Sequence, residues 1–378
     1  MLLSHDWVTR HAGTMTSATP TLPPTAVARP ALSPGLQRAR QSFEPSTGFL
    51  AVASIGIPTR ETVAAQKADL DLWGSARRDP MDYDAIVERT RRSYATLVGV
   101  TPDRVATGSQ TSVITSLVAA GIPDGAEVLS VEGDFSSIVF PFLQRPGIRV
   151  RTVCLTDLAA SISDDTWLVV FSHIQSSTGV VADVAAIVAA AIAHDAYTFC
   201  DTTQSAGVHP VDAALFDATV CHSYKWLCAP RGVAFLTLSE RFQAQLRPVQ
   251  AGWYAGADVW QSCYGPQMAL ATDARAFDVS PAWPAWVGAE PAIRLFSELD
   301  IAEVWAYTSG LGDALCDALG IPQQHQAIVT WADPDATDLH KLVEAGIKAS
   351  GRAGRLRAAF HLWNDESDVA AVIAALRP

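Results

Sequence analysis

From about Phe49 onward, short β-prone runs alternate with helix-like stretches. Arg104–Thr107 and Glu127–Val131 read as strands, and Ser112–Ala120 between them suits a helix. Thr166–Ser172 (TWLVVFS) is a continuous apolar run, followed by the helical Asp183–His194. Tyr197–Asp201, Ala218–Ser223 and Val233–Leu238 follow as further apolar runs. Continuous apolar strands separated by helices predict a parallel sheet covered on both faces. Sites in such sheets sit at the carboxyl ends of the strands. The tail changes rhythm: Ala327–Trp331 reads as strand, Ala336–Ala345 as helix, Leu356–His361 as strand and Ser367–Leu376 as helix. That α+β pattern predicts a smaller second domain. The start differs again. Residues 1–40 read as a flexible arm, because Pro20, Pro23, Pro24, Pro30 and Pro34 crowd the stretch from Thr19 and oppose a helix or central strand. Met15 lies within these 40 residues as a second candidate start, and a partner-binding arm is the sharper alternative.

Composition narrows the picture only a little. A chain of 378 residues, 49% hydrophobic and 17% charged, has room for a large core in one or two domains and is not a disordered polymer. With 27 basic against 39 acidic side chains, the formal net charge of −12 argues against a nucleic-acid partner. Six cysteines without CxxC spacing give neither a disulfide framework nor a zinc signature, so reduced thiols and no metal are expected. No apolar run reaches the ~18 residues of a membrane span. No continuous hydrophobic segment follows Arg10 as in a secretory signal. A cytoplasmic location without a membrane partner is the expectation.

Polar residues recur where the predicted strands end. Asp201 closes YTFCD and precedes Thr-Thr-Gln204-Ser-Ala-Gly. A carboxylate there needs a partner if buried, or it caps the next segment. Lys225 stands in His222-Ser-Tyr224-Lys-Trp226 just beyond the next strand. Apolar neighbours lower a lysine's pKa and suit it to Schiff-base chemistry, whereas an isolated lysine is normally an exposed charge. Upstream, Thr107-Gly-Ser109-Gln110-Thr111-Ser112 runs from a strand into a helix and offers backbone N–H groups to a phosphate. No GxxxxGK[ST] or GxGxxG accompanies it, which counts against nucleotide and dinucleotide sites. Phosphate cradle, ring-nitrogen carboxylate and amine, in that order on strand ends, are what pyridoxal phosphate requires.

The chain resembles the class V aminotransferase family of fold-type I pyridoxal phosphate enzymes. That group includes kynureninases, C–S lyases, isopenicillin-N-epimerase-like proteins and cysteine desulfurases. The resemblance covers roughly Phe49 to the C-terminus and is carried above all by Asp201-Thr-Thr-Gln-Ser-Ala-Gly-Val-His-Pro-Val-Asp212 and Ser223-Tyr-Lys-Trp-Leu-Cys-Ala-Pro-Arg-Gly232. It implies a mostly parallel sheet in a large domain, residues 71–284, and a smaller α+β domain, residues 285–378. Residues 41–70 would join the small domain. It also implies that Asp201 meets the pyridinium nitrogen, Gln204 the ring hydroxyl, and Lys225 the aldehyde as an imine. Ser109, Gln110 and Thr111 match the phosphate cradle, with His222 and Tyr224 beside it, and Phe135 matches a ring that stacks on the cofactor. Thr178 lines the site from the Ser172-His-Ile-Gln-Ser-Ser-Thr-Gly179 segment. Gly252-Trp253-Tyr resembles a segment reaching a neighbouring subunit's phosphate, and Ser280 falls in Asp278-Val-Ser-Pro281, which replaces the usual G-T-P turn. Arg357 matches the arginine that grips the substrate carboxylate, with Arg352 and Arg355 as near rivals, and Ser54 lies in a turn near the substrate.

The implied activity is α-proton removal from an α-amino acid bound as an imine. Phe135, Tyr224 and Trp253 tilt it toward lyase-type side-chain cleavage, as in kynureninase-like or C–S-lyase-like members. Lys348–Leu356 contains no cysteine, which counts against a persulfide-forming desulfurase. An aminotransferase or epimerase is the alternative within the family, and a non-catalytic binding module the alternative outside it. A small amino-acid substrate and a homodimer with shared active sites complete the expected partners.

Overall fold

In the computed structural model, which describes residues 31–377, the apolar runs pair into one large sheet. Its strands are β1 (Val105–Gly108), β2 (Glu127–Val131), β3 (Arg149–Val153), β4 (Thr166–Ser172), β5 (Tyr197–Asp201), β6 (Ala218–His222) and β7 (Ala234–Leu238). They lie side by side in the order β1-β7-β6-β5-β4-β2-β3. From β3 through β6 every pairing is parallel, whereas β7 runs antiparallel to both β1 and β6. The apolar pattern alone predicted parallel strands throughout. β7 departs because only a loop joins it to β6, and a parallel crossover needs a dozen or more residues, usually with a helix. β3 has no counterpart among the predicted strands: RVRTV carries two charges in five residues and forms a half-exposed edge.

Eleven helices accompany the described sheets: α1 (Pro34–Gln41), α2 (Arg60–Gly74), α3 (Asp82–Leu97), α4 (Thr111–Gly121), α5 (Ser136–Leu143), α6 (Val184–Ala193), α7 (Glu240–Gln243), α8 (Trp283–Ser297), α9 (Ile301–Leu319), α10 (Thr337–Glu344) and α11 (Glu366–Leu376). Along β4 the side chains alternate between two cores. Leu168 and Val170 pack with Ile114 and Leu117 of α4 and Phe142 of α5. Val169 and Phe171 pack with Ile187 and Ala191 of α6. A strand covered on both faces must be apolar at every position, which is why β4 reads as an unbroken run. Each such buried side chain stabilises by about 1.5–3 kcal/mol relative to exposure.

A second, antiparallel sheet follows, built from β8 (Ile328–Ala332), β9 (Ser350–Arg352) and β10 (Arg355–Ala359) in the order β8-β10-β9. The arm expected to reach residue 40 ends earlier, because Pro34–Gln41 is helical. Ser33 caps it, Pro34 stands at its first position where its fixed φ suits a helix start, and Leu36 and Ala39 are buried. The rest of the expected arm, with Met15, falls in residues 1–30, outside the described residues. Among the described residues no helix is long and apolar enough to cross a membrane.

Candidate active site

The carboxyl ends of the central strands gather the chemistry. Asp201, the last residue of β5, is buried and accepts a hydrogen bond from the Thr203 backbone N–H at 2.8 Å. Thr203 Oγ1 in turn accepts from the backbone N–H of His222 at 3.0 Å, locking the β5 exit to the β6 exit. Burial raises the Asp201 pKa to about 6, against the opposing pull of the Thr203 bonds and the Lys225 charge. Lys225 lies three residues past β6 and is also buried, its Nζ 5.2 Å from the centroid of the Phe135 ring and 5.8 Å from that of Tyr224. Burial lowers its pKa to about 8; the Asp201 charge opposes the shift, and the Arg357 and Arg352 charges add to it. An amine so placed is neutral in an appreciable fraction near neutral pH, as a nucleophile requires.

The lysine loop is fixed from outside as well. The Gly56 N–H donates to the Tyr224 carbonyl at 2.9 Å, and a Cβ at Gly56 would stand 2.1 Å from the Lys225 carbonyl oxygen. Gly56→Ala is therefore expected to push the lysine loop off its position. Equilibrium dialysis with the cofactor should show affinity falling on the order of 10²-fold with the fold retained; unchanged affinity would refute this contact's role.

The segment Gly108–Thr111 connects β1 to α4, as the sequence predicted. The helix starts at Thr111 after Gln110, and its first turn has no side-chain cap. Its leading N–H groups are thereby left for another acceptor. His222 points a buried Nε2 that has no hydrogen-bond partner among the described residues, and its ring packs edge-on against Tyr224 at 4.4 Å. Burial, with the Arg231 and Lys225 charges adding, depresses its pKa to about 4, so the ring is neutral.

Arg357, on β10, is buried and bonded to hydroxyls and a carbonyl: Nε donates to Ser350 Oγ (3.0 Å), Nη2 to Ser54 Oγ (2.9 Å), and Nη1 to Ser176 Oγ (3.2 Å) and to the Ser176 carbonyl. No carboxylate pairs with it among the described residues. Burial lowers its pKa to about 10, with the nearby Arg352 charge adding. The same Ser176 hydroxyl accepts from Gln204 Nε2 at 3.1 Å, while Gln204 Oε1 accepts from Trp226 Nε1 at 2.7 Å. Gln204 thus links the loop after β5, the lysine loop and the arginine.

Other expected residues make their hydrogen bonds and ring contacts outside this group. Thr178 sits in a turn, where its Oγ1 accepts from the Val180 N–H and its carbonyl from Thr330 Oγ1. Trp253 packs with Trp260 and Tyr254. Ser280 is exposed, two residues beyond Asp278, whose buried ion pair with Arg91 (2.7 Å) and bond from the Thr107 N–H (2.7 Å) anchor the segment to β1. Asp134 is the member that the sequence reading did not single out. Its carboxylate accepts from the N–H of Phe135 (2.6 Å), the N–H and Oγ of Ser172 (2.8 and 2.5 Å) and Gln175 Nε2 (3.1 Å). It fastens the Phe135 turn to the end of β4, beside Asp201. Ser176 and Ser350 were missed likewise.

The chain is 30% identical over 240 residues to a kynureninase of Deinococcus radiodurans, covering 61% of this chain and 56% of that one. It is 28% identical over 232 residues to an isopenicillin N epimerase of Streptomyces clavuligerus, covering 57% and 54%. The matched region therefore spans little more than half the length of these relatives. In structure it is similar to a mutant of C-DES with glycine covalently linked to the PLP cofactor: TM-score 0.81, 20% identity, 89% of this chain and 98% of that one. That likeness shows the fold, with its mostly parallel sheet. The model of the family described as Aminotransferase class-V matches residues 80–349, well over half of the sequence, and the chain belongs to that family of pyridoxal phosphate-dependent enzymes.

Proposed function

We propose that the protein acts on an α-amino acid and cleaves a bond in its side chain. The observation that carries the reading is the meeting of a buried, carboxylate-free Arg357 with the buried amine of Lys225, whose pKa its charge helps to depress. An arginine held by hydroxyls and a carbonyl, with no carboxylate paired to it among the described residues, keeps its charge for an anionic ligand, and its planar fork matches a carboxylate.

The residues fit pyridoxal phosphate. The unpartnered His222 Nε2 and the uncapped start of α4, with Ser109, Gln110 and Thr111, would hold its phosphate. Asp201 would hold a proton on its ring nitrogen, Gln204 would face its ring hydroxyl, and Phe135 would cover its face. When bound, the cofactor supplies an electron sink for a carbanion at the substrate α-carbon. Lys225 would take the α-proton as general base, and Arg357 would fix the carboxylate so that this proton faces the amine. The β9–β10 hairpin, residues 350–359, contains no cysteine, and Cys316 is buried on α9, so no thiol is presented there for persulfide formation. A homodimer completing each site, with Trp253 reaching the partner, belongs to the same reading.

The test is a panel of amino acids incubated with holoenzyme and no keto acid. Release of a side-chain fragment supports cleavage. Conversion only when a keto acid is supplied would make the protein an aminotransferase, and loss of optical activity without fragment release an epimerase; either would sink the lyase reading.

A further inference from the structure

On the footing of this proposed function, we propose that the substrate carries a second anionic group on its side chain, received by Arg352 while Arg357 holds the α-carboxylate. β9 and β10 form a hairpin in which Arg352 pairs with Arg355 and Ser350 with Arg357. Cross-strand partners share a face, and so do residues two apart along a strand. Ser350, Arg352, Arg355 and Arg357 therefore all lie on one face of the small sheet, the face from which Arg357 reaches Ser54 and Ser176. The two-residue turn fixes this register: Ala353 and Gly354 both have positive φ, +50° and +72°, as a type I′ hairpin demands. A slip of one residue would turn Arg352 to the opposite face.

Three guanidinium groups on one face repel each other, and two of them stand directly opposite one another. In a protein with 39 acidic side chains, none of the three has a carboxylate within ion-pair distance among the described residues. Two of them are committed. Arg355 donates from Nε and Nη2 to Thr330, and Arg357, oriented by three serines, is assigned to the α-carboxylate. Arg352 is exposed, and among the described residues its side-chain hydrogen bonding is a single donation to its neighbour's carbonyl, that of Gly351 (2.7 Å). Its charge nonetheless reaches the site, since it helps lower the pKa values of both Lys225 and Arg357. An uncommitted cation near the amine, on the same face as the carboxylate-binding arginine, suits the far end of a substrate that is anionic at both ends.

The experiment is a spectral titration of holoenzyme with L-aspartate, L-cysteinesulfinate and L-phosphoserine, each against uncharged L-asparagine and L-serine. The three charged arms separate a carboxylate, a sulfinate and a phosphate as the anionic group. At least one charged ligand should bind more tightly than its uncharged counterpart. Arg352→Gln should weaken that ligand about tenfold more than it weakens asparagine or serine, the worth of one charge-assisted bond. Arg352→Lys should restore most of the difference. Equal weakening of charged and uncharged ligands, or no preference in the wild type, overturns the proposal. So does a loss of cofactor affinity in Arg352→Gln with the ligand preference intact, which would assign Arg352 to the phosphate. Wild-type protein without cofactor absorbance would instead refute the reading on which this rests. Calorimetry then still decides the arginine's role: succinate should bind the apoprotein more tightly than butyrate, and Arg352→Gln should abolish the difference.

Discussion

Replacing Lys225 by Ala is expected to end covalent capture of the cofactor and to cut turnover by on the order of 10⁴-fold, since nucleophile and base are lost together. The fold should persist. The lysine loop is held by the Gly56–Tyr224 and Cys228–Lys225 backbone bonds, neither of which uses the side chain. Borohydride reduction followed by mass spectrometry checks the first effect, and circular dichroism the second. A retained covalent adduct would refute the assignment. The pH dependence has a definite sign. With a pKa near 8, the neutral fraction of Lys225 rises tenfold per pH unit below 8 and levels off above it. The rate at which apoprotein captures cofactor should follow the same curve, where an ordinary lysine would climb toward 10.5. Apoprotein stability should also rise with pH between about 8 and 10.5, because the unfolded chain binds the extra proton in that window.

The second large effect is expected of Asp201→Asn. Asparagine keeps an oxygen to accept from the Thr203 N–H, so the loop after β5 should stay in place. It cannot hold a proton on a ring nitrogen by charge. Turnover should fall on the order of 10²–10³-fold, the scale of losing one preorganised electrostatic contact in a dry site. Stability should move the other way. Because burial raises the Asp201 pKa to about 6, its native-state contribution is best at low pH and is lost as pH rises through 6. At pH 7 the apoprotein carries a strained carboxylate, and the amide should relieve it by on the order of 3 kcal/mol. A holoenzyme that is slower, with an apoprotein that melts higher, is the expected signature. Equal turnover, or a lower melting temperature, would count against the role of Asp201.

The legible parts of this molecule are those whose causes are local. β4 and β5 announce themselves because both faces are buried, Asp201 because it closes an apolar strand and Lys225 because it comes three residues after one. β3 escapes because an edge strand need not be apolar. The direction of β7 depends on the helix-free loop before it, which an apolar count ignores. Asp134 escapes for another reason: its partners Ser172 and Gln175 lie 38 and 41 positions away, and only the pairing of β2 with β4 brings them close. The serines around Arg357 are similar, since Ser54, Ser176 and Ser350 come from three distant segments. A serine in sequence carries no mark of such service. Family resemblance supplied Arg357, whereas the reason it is poised, the absence of an acid, is visible only in three dimensions.

The place of β1 in the large sheet bears on how the protein is born. β1 lies at the sheet's edge and pairs only with β7, so Val105–Gly108 has no strand to bind until residues 234–238 have been made. β2 through β6 can assemble without it. The stretch that runs from β1 into α4, with Ser109, Gln110 and Thr111, is thus translated early and seated late. A nascent chain halted before β7 should hold the cofactor weakly or not at all, although it already contains Asp201 and Lys225. Cofactor loading then becomes a report on completed synthesis of the large sheet, and ribosome-bound chains of increasing length should gain it abruptly rather than by degrees.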